Sequence, residues 1–348
     1  MSTTINTSFP ASEIVLTCNI GTIEAETDAQ NVSVTLVNTL NPSEYLLMIV
    51  QYPYNGKIQI FEIGRLIEQD LSSRGLSFCS YKLMAGDASL EFTALCCRRK
   101  LLAGWITNNF LTALPTQIMP HNSDFSLQFP ETDNVIHLAV TFRDTDGRIN
   151  SCSIQGPDSH SDITECDYLD LSASVEKATG KACKEMLIVN ATSANRSKTI
   201  FFANREHCHR FTFRNCFNAF DDFYLCGSIT ESTKVDSESA VCNGIKTVYD
   251  RSVSRSYKFN TGVLSETEAE ALAQLVESNE TYLYIAKALR RIVFTGHSLE
   301  FSDDNASQRR AEFTFEMADG TPLPPEVWLK QMTSVNTVFT DQFEDSFL

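Results

Sequence analysis

The sequence predicts a mainly β protein with a few short helices, arranged as two or three β-sandwich-like domains. Three observations support this fold class. Apolar and polar residues alternate in several short segments, most clearly in 31–37 (NVSVTLV), as in a half-buried strand. Asn-Gly or Asp-Gly lies between apolar segments at 55–56, 146–147 and 243–244, and such dipeptides are the strongest short hairpin signal. Strands separated by short turns are typical of a β-sandwich.

The bulk composition is that of an acidic globular chain. With 348 residues, of which 43% are hydrophobic and 21% charged, it is long enough for two or three domains with buried cores. The net charge of −16 argues against a general phosphate-binding surface, which needs clustered Lys and Arg. No nucleic-acid partner is therefore expected.

The sequence also indicates where the protein is made. The polar opening MSTTINTSFPAS has neither a basic nor an apolar region, so no signal peptide is expected. No apolar run approaches the roughly 18 residues of a spanning helix, so no membrane span is expected. The 11 cysteines are irregularly spaced, which is typical of a reduced intracellular product rather than of a disulfide scaffold. These features favour synthesis in a cytoplasm.

The first predicted domain, residues 1–115, is a β domain that ends in a helix. The first Asn-Gly turn predicts a hairpin within 44–63, and 89–97 (SLEFTALCC) predicts another strand. Residues 64–71 predict a short helical turn because their apolar side chains fall at helical spacing. The final helix is predicted over 101–114 (LLAGWITNNFLTAL), where apolar residues recur at every fourth position before a proline.

The middle domain, residues 116–205, is predicted to be a β-sandwich. Its Asp-Gly turn joins segments 135–142 (VIHLAVTF) and 148–155 (RINSCSIQ) as a hairpin. Three further strands follow, in 168–175 (YLDLSASV), 185–192 (EMLIVNAT) and 198–204 (KTIFFAN).

The third domain, residues 206–325, is predicted to be a β-sheet unit with one packed helix. Its strands are predicted in 210–215, 222–233, 252–259, 290–303 and 308–319, with the last Asn-Gly turn forming a hairpin among them. The helix is predicted over 265–278, because Ser265 and Glu268 have the Ser-x-x-Glu spacing of a capping box. An acidic C-terminal arm, 326–348, completes the chain.

A group of Cys and His residues in the third domain is the first candidate site. Its members are His207, Cys208, His209, Cys216, Cys226 and Cys242. In a strand, His207 and His209 would share a face, as two metal ligands should. Zinc sites usually combine short paired spacings, whereas the gaps here are long and irregular. Buried thiols with surface histidines are therefore favoured, and no metal or cofactor is expected.

Two acidic features are candidates for other chemistry. Asp144–Gly147 (DTDG) resembles the start of a calcium loop, but the following residues lack its Glu and predict a strand, so a hairpin is favoured. Asp221-Asp222 and Asp303-Asp304 are adjacent carboxylates, whereas a glycosidase needs two carboxyls facing one cleft. Acids between strands, as in 302–305 (SDDN), are typical turn residues. Without hydrolase, nucleotide or metalloprotease motifs, no catalytic residues and no enzymatic activity are expected.

Basic and aromatic residues leave alternatives open. Short basic segments at 96–100, 289–291 and 308–310 could pair with an acidic surface of a neighbouring copy, or be solvated charges beside strands. The aromatic content is 23 Phe but only 2 Trp, Trp105 and Trp328. Sugar platforms favour Trp and Tyr, whereas abundant Phe mostly indicates core.

Several motifs of the third domain resemble a largely uncharacterised family encoded in tail gene clusters of phages and prophages of anaerobic gut bacteria. The matching residues are Phe213 to Phe220, Tyr249-Asp250-Arg251 before Tyr257, Thr261-Gly262 before Leu264, Phe313-Thr314-Phe315 and Ala318-Asp319. In the first domain, GKIQIFEIGRLIEQDL and FLTALP are also similar to that family.

The resemblance implies a virion structural protein of a bacteriophage tail, tail tip or baseplate. Its partners would be other copies of itself and neighbouring tail proteins, with a host surface as a further candidate. Two alternatives remain: a virion-borne host-surface or glycan-binding module, and a cell-envelope hydrolase.

Overall fold

The structure is a computed structural model that describes most of the chain. The described residues are 2–7, 9, 14–101, 105, 109–121, 123–128, 137–155, 169–190, 196–203, 208–285, 288–295, 300–301, 309–320 and 322. The chain folds as two compact units. Unit 1 comprises Met1–Gln117, His121–Phe202 and Arg214–Asp221, and unit 2 comprises Ile118–Pro120, Ala203–Phe213 and Asp222–Leu348. The domain boundaries expected near 115, 205 and 325 stay a prediction.

The predicted fold class is confirmed, since the described chain is mainly β with a few short helices. Eight strands occupy the first part of unit 1: β1 (Thr3–Asn6), β2 (Ile14–Leu16), β3 (Ile23–Thr27), β4 (Val32–Asn38), β5 (Asn41–Gln51), β6 (Lys57–Ile60), β7 (Phe78–Ala85) and β8 (Ala88–Leu95). They form a five-stranded sheet in the order β2-β8-β7-β4-β5 and a three-stranded sheet in the order β1-β3-β6.

Helix α1 (Ile63–Arg74) extends the helical turn predicted at 64–71 to three turns. It buries Ile63, Ile67 and Leu71 in a core shared with alternate residues of the two sheets. Gly75 ends the helix with a positive φ of 68°, a conformation that glycine adopts without a steric penalty.

The first Asn-Gly turn forms as expected, but the hairpin predicted around it does not. Asn55 and Gly56 both have positive φ, 51° and 74°, as a type I′ turn requires. Tyr54 and Lys57 make one isolated bridge. Beyond that bridge β5 pairs with β4 and β6 pairs with β3, so the strands that flank this turn belong to different sheets.

Seven strands follow: β9 (Thr116–Met119), β10 (Asp124–Phe125), β11 (His137–Asp144), β12 (Ile149–Gln155), β13 (Leu169–Asp170), β14 (Cys183–Asn190) and β15 (Ser197–Phe202). All of their residues are counted in unit 1 except Ile118 and Met119 at the end of β9, which are counted in unit 2. Five of the seven strands form a sheet in the order β12-β11-β14-β15-β9, and β10 pairs with β13. The predicted Asp-Gly hairpin is present as β11 and β12, which pair from His137↔Gln155 to Arg143↔Ile149.

The strand predicted at 168–175 is wrong, because helix α2 (Leu171–Thr179) begins there. Its N-cap Asp170 accepts a hydrogen bond from the backbone N–H of Ala173 at 2.9 Å, which satisfies one of the free N–H groups of the first turn. Leu171 and Val175 are buried at helical spacing. The alternation in YLDLSASV is short enough to suit either structure, and the cap decides for the helix.

The helix predicted over 101–114 is only partly described. Residues 102–104 and 106–108 lie outside the described residues, and Trp105 is helical. Residues 109–114 are not helical, which corrects the prediction for that part. There the carboxylate of Asp221 accepts hydrogen bonds from the Thr112 hydroxyl and the Ala113 N–H, at 2.7 and 2.6 Å. These contacts, distant in sequence, override the local apolar period.

Most of unit 2 is one large sheet. The strands of this sheet are β16 (Cys208–Arg214), β17 (Phe220–Cys226), β18 (Ser228–Cys242), β19 (Ile245–Asn260), β20 (Thr281–Ile285), β21 (Ala288–Phe294), β22 (Glu300–Phe301) and β23 (Ala311–Met317). Arg214 at the end of β16 and Phe220 and Asp221 at the start of β17 are counted in unit 1. The strand order is β17-β16-β20-β21-β23-β19-β18, with β22 paired to β23. The segment predicted as one strand at 222–233 is divided between β17 and β18 at Gly227, where an added Cβ would lie 1.8 Å from the Asn260 carbonyl oxygen.

The predicted capped helix is confirmed as α3 (Glu266–Glu277). The Ser265 hydroxyl oxygen accepts a hydrogen bond from the Glu268 N–H at 3.3 Å, and the Glu268 carboxylate accepts from the Ser265 N–H at 2.8 Å. Leu272 and Leu275 are fully buried. The strand-to-helix connection that carries the family resemblance is therefore built from local capping and apolar packing.

Candidate assembly surfaces

The hairpin of β18 and β19 extends far beyond its sheet. The two strands pair from Ser228↔Asn260 to Cys242↔Ile245, and the turn between them is the last Asn-Gly, with positive φ at Asn243 and Gly244. Every residue from 232 to 255 is exposed. We call this segment, 232–255, the finger. At about 3.3 Å per residue it is roughly 35 Å long.

One face of the finger carries four valines, which alternate along the hairpin with the polar residues Ser237, Ser239, Lys246 and Arg251. Val235 and Val253 are cross-strand partners, and both are about half exposed, at 52% and 51%. Partners point to the same side and alternate residues share a face, so Val241 and Val248 lie on that side too. At the base of the hairpin the same face carries Tyr257, which is buried. The face of the sheet that buries Tyr257 thus continues along the finger, where none of the residues that the structure describes forms a layer over it.

The opposite face of the finger is polar. Tyr249 is the residue added by the irregularity in the ladder near Glu238, and its hydroxyl donates to the Glu238 carboxylate at 2.7 Å. That carboxylate raises the pKa of the Tyr249 hydroxyl above its ordinary value. Lys234 and Asp236 form an exposed ion pair at 2.9 Å. These contacts are local to the finger and leave its valine face exposed.

The turn between β16 and β17, in contrast to the finger, is buried. We call residues 214–221, all counted in unit 1, the inner loop. Asn215 donates to the Leu111 carbonyl at 2.9 Å and to the Asp221 carboxylate at 2.7 Å. Asn218, with a positive φ of 57°, donates to the Leu76 carbonyl at 2.8 Å. Buried polar groups are stable where each has such a partner.

Aromatic and basic side chains pack around the inner loop. The guanidinium of Arg214 lies 4.0 Å from the centre of the Phe220 ring, and its Nη1 donates to the Gly75 carbonyl at 2.9 Å. Trp105 stacks on Phe217 with ring centres 4.6 Å apart. Trp105 is therefore a packing residue and not a free sugar platform.

A groove of about 600 Å³ lies in unit 1 around the first Asn-Gly turn. We call it the tyrosine groove. Three exposed aromatic side chains line it, with exposed fractions of 78% for Tyr52, 81% for Tyr54 and 57% for Phe61. It forms because the chain leaves one sheet after β5 and enters another at β6. The amide side chains of Gln51 and Gln59 also line it.

The Cys and His residues considered for zinc are placed as follows. Cys208 and His209 are consecutive in β16 and so point to opposite faces; the His209 ring lies edge-on to Phe259 at 5.5 Å. Cys216 is in an apolar cluster of unit 1, where burial raises the pKa of its thiol to about 12. A thiol in that environment is a poor source of the thiolate that a metal needs.

The other two cysteines of this candidate group are more exposed than Cys216. Cys226 is half-buried and Cys242 is exposed at the tip of the finger. Within the described ranges, no group of three or more Cys, His, Asp and Glu side chains could hold a metal ion. Five residues considered from the sequence lie outside those ranges: His207, Asp303, Asp304, Gln308 and Trp328. The C-terminal arm, 326–348, does too.

The acidic candidates serve the fold. Asp144 accepts from the Arg148 N–H at 2.7 Å and from the Asn150 amide at 2.9 Å, across the hairpin turn that was favoured over calcium. Burial would raise the pKa of the Asp144 carboxyl, but these hydrogen bonds and nearby Lys181 hold it below its ordinary value.

Asp221 and Asp222 are consecutive in β17 and point to opposite faces. Asp222 accepts from Arg210 at 2.9 Å and from the Thr212 hydroxyl at 2.7 Å, while Asp221 accepts from the inner loop and from residues 112–113. The two carboxylates therefore do not face one cleft.

The basic segments make contacts within the chain. Arg98 donates to the Ser72 hydroxyl at 3.0 Å. Arg290 makes two hydrogen bonds of 2.9 Å to the Asp319 carboxylate, and Arg309 lies 4.0 Å from Glu266. The sequence left open pairing with a neighbouring copy or solvated charges beside strands, whereas Arg98, Arg290 and Arg309 have partners within the chain.

The similarity of this chain to known proteins is low. No protein-family model matches the chain, and none of the curated proteins does. Among solved structures, the chain is similar to a chain from the virion of a native gene transfer agent (GTA) particle. The identity is 12%, the match covers 32% of this chain and 92% of that chain, and the TM-score is 0.22. A likeness at this TM-score does not establish a shared fold or function.

Among the residues that the structure describes, none belongs to a helix with the length and apolarity needed to cross a bilayer.

The sequence reasoning missed the finger and the tyrosine groove. A signal for the finger was present, since the segment around the last Asn-Gly alternates like a strand but has too few apolar residues to fill a core.

Proposed function

We propose that this chain is a non-enzymatic structural protein of a phage-like virion, placed in the tail or tail tip, which assembles through the finger. The sequence resemblance motivates the virion context. The observation that carries the assembly role is the set of four exposed valines on one face of the finger, a hairpin that extends beyond its sheet.

The physical argument begins with the stability of an isolated hairpin. Two strands without a third strand or a covering layer are marginally stable in water, so a finger of this length gains order when a partner covers it. Burial of a valine side chain contributes roughly 1.5 kcal/mol or more relative to exposure. Val235, Val241, Val248 and Val253 would each contribute such burial to a partner that covers their face.

The shape of the finger favours a contact between unlike surfaces. A projection that docks on a different surface of the next copy makes a heterologous contact, and repeated contacts of this kind close into rings. The outer edges of the finger also offer unpaired backbone groups for strand addition. Neighbouring copies of the chain, and other tail proteins, are the proposed partners.

The test shortens the finger without disturbing its base. Because Val235 and Val253 are direct partners, residues 236–252 can be replaced by Asn-Gly, which joins the two valines by a two-residue turn. In a phage or prophage that encodes this chain, we expect the shortened chain to fold, by circular dichroism, but to yield no complete particles. The matched control is Asp236→Asn on the polar face, which should assemble normally.

Two results would contradict the proposal. One is a normal yield of particles from the phage with the shortened chain. The other is that mass spectrometry of purified particles from the unaltered phage does not detect the chain.

A further inference from the structure

The tyrosine groove has the chemistry of a ligand site that the assembly role does not use. Its volume of about 600 Å³ falls within the roughly 300–1,000 Å³ of small-ligand pockets. Tyr52, Tyr54 and Phe61 present three rings on a segment of ten residues, and each ring is more than half exposed. Exposed aromatic residues concentrated in this way mark an interaction site.

We propose that the tyrosine groove binds a neutral saccharide chain. A pyranose ring has an apolar face of C–H groups and a rim of hydroxyls. The aromatic faces of Tyr52 and Tyr54 offer apolar surface with a polar tip, and the side-chain amides of Gln51, Asn55 and Gln59 lie among them. An amide has both donors and an acceptor, so it can bond to hydroxyls in either sense.

The groove is held in shape before any ligand arrives. Tyr54 and Lys57 exchange two backbone hydrogen bonds of 2.9 and 3.1 Å across the Asn-Gly turn. The Gln51 amide donates to the Gln59 carbonyl at 3.0 Å, which ties the end of β5 to β6. A preformed site loses less entropy when it binds.

The charges favour a neutral ligand. Lys57 is the cation in the lining, and it is paired with Glu26 at 3.1 Å. This carboxylate, by its hydrogen bond and its charge, raises the pKa of Lys57 above its ordinary value. With a chain net charge of −16, a polyanionic glycan would be repelled.

A protein partner fits the groove less well. Specific protein interfaces bury about 800 Å² on each partner and have a core depleted of charged residues. The tyrosine groove is one short segment in which amides and an ion pair interleave with the rings. The occupant we commit to is therefore a saccharide, and a second copy of the chain is the outcome that the test must separate.

The experiment measures binding of the full chain to a panel of neutral oligosaccharides, including tetramers of β-1,4-linked glucose and of N-acetylglucosamine, by calorimetry and on an array. A sulfated dextran oligomer serves as the anionic contrast. We expect at least one neutral oligomer to bind and the sulfated one not to bind. Tyr52→Ala and Tyr54→Ala should each weaken binding about tenfold, whereas Tyr52→Phe, which keeps the ring, should change it by less than about threefold.

The matched control is Tyr249→Ala on the finger, where the tyrosine is 66% exposed; it should leave binding unchanged. The shortened finger should also leave it unchanged, so this proposal and the assembly role can fail separately. Absence of binding across the neutral panel would overturn the saccharide proposal, as would equal weakening by Tyr249→Ala. A lower sedimentation coefficient for Tyr52→Ala would show instead that a second copy occupies the groove.

Discussion

The inner loop and the finger are two hairpin connections close together in the chain, and they differ in burial. The inner loop contains Asn215, Asn218 and Asp221, and all of its residues except Arg214 are buried. The finger carries a line of valines, and all of its residues are exposed.

The difference shows what decides burial in this protein. Each of the three polar side chains of the inner loop has hydrogen-bond partners within unit 1, which removes the cost of leaving water. The valines of the finger lie beyond the edge of the sheet that buries Tyr257 and Phe259 in the same strand. Stability is thus concentrated in the inner loop and the base of the hairpin, and the finger is left available for a partner.

The sharpest test of this contrast lies within one strand. Phe259 is fully buried, with the Phe211 and Phe313 ring centres each 5.2 Å from its own, whereas Val253 on the same face is half exposed. We expect Phe259→Ala to lower the free energy of unfolding by about 3–5 kcal/mol, and Val253→Ala to lower it by less than about 0.5 kcal/mol. Urea denaturation followed by circular dichroism measures both. Similar losses would mean that the finger is part of the folded core.

The second test compares two aspartates. Asp221 accepts three hydrogen bonds of 2.6–2.7 Å, so Asp221→Ala leaves three donors unsatisfied and should lower the free energy of unfolding by about 3 kcal/mol. Asp236 on the finger has one exposed ion pair, and its replacement by Ala should change stability by less than about 0.5 kcal/mol. Thermal unfolding of both variants measures the two losses of stability. A small effect at Asp221 would argue that water replaces the carboxylate.

Much of the fold follows from local sequence. Segments of regular alternation, such as 31–37, became strands. The two Asn-Gly dipeptides formed their turns because Asn and Gly both tolerate positive φ, and in the Asp-Gly turn Gly147 alone adopts it. The Ser-x-x-Glu spacing correctly placed the start of α3. These signals depend on a residue and its near neighbours, and tertiary contacts do not oppose them.

The wrong predictions of secondary structure occur where contacts with residues distant in sequence determine the local conformation. A single carboxylate, Asp221, holds 112–113 in an irregular conformation against the apolar period of the predicted helix. The first Asn-Gly turn formed without its hairpin because the strands on either side of it pair with other strands. β5 pairs with β4, and β6 pairs with β3.

The candidate surfaces were hidden from the sequence for the same reason. The tyrosine groove exists because the chain passes from one sheet to another at residues 52–56. The finger is exposed because its two strands are longer than the strand that pairs with β19 at its base. Neither fact is encoded locally. The sequence supplied the exposed tyrosines and the alternating valines, but their exposure depends on where each sheet ends.

The third and smallest test uses two glycines with positive φ. Gly75 has a φ of 68°, and an added Cβ would lie 3.0 Å from Nη2 of Arg214, whereas Gly244 in the finger turn has a φ of 77° and open space around it. A left-handed conformation costs an alanine about 1 kcal/mol at either site. Gly75→Ala must also displace the guanidinium that donates to the Gly75 carbonyl, so we expect a loss of about 2 kcal/mol in the free energy of unfolding.

For Gly244→Ala the loss should stay inside the finger. Because the finger opens without unfolding the base of its hairpin, its amides should exchange with solvent about fivefold faster, while the urea midpoint of the whole chain stays unchanged. Hydrogen exchange read residue by residue distinguishes the two glycines. If Gly244→Ala instead lowered the urea midpoint as much as Gly75→Ala does, the finger would be coupled to the core. Its valine face would then have to be explained by folding rather than by a partner.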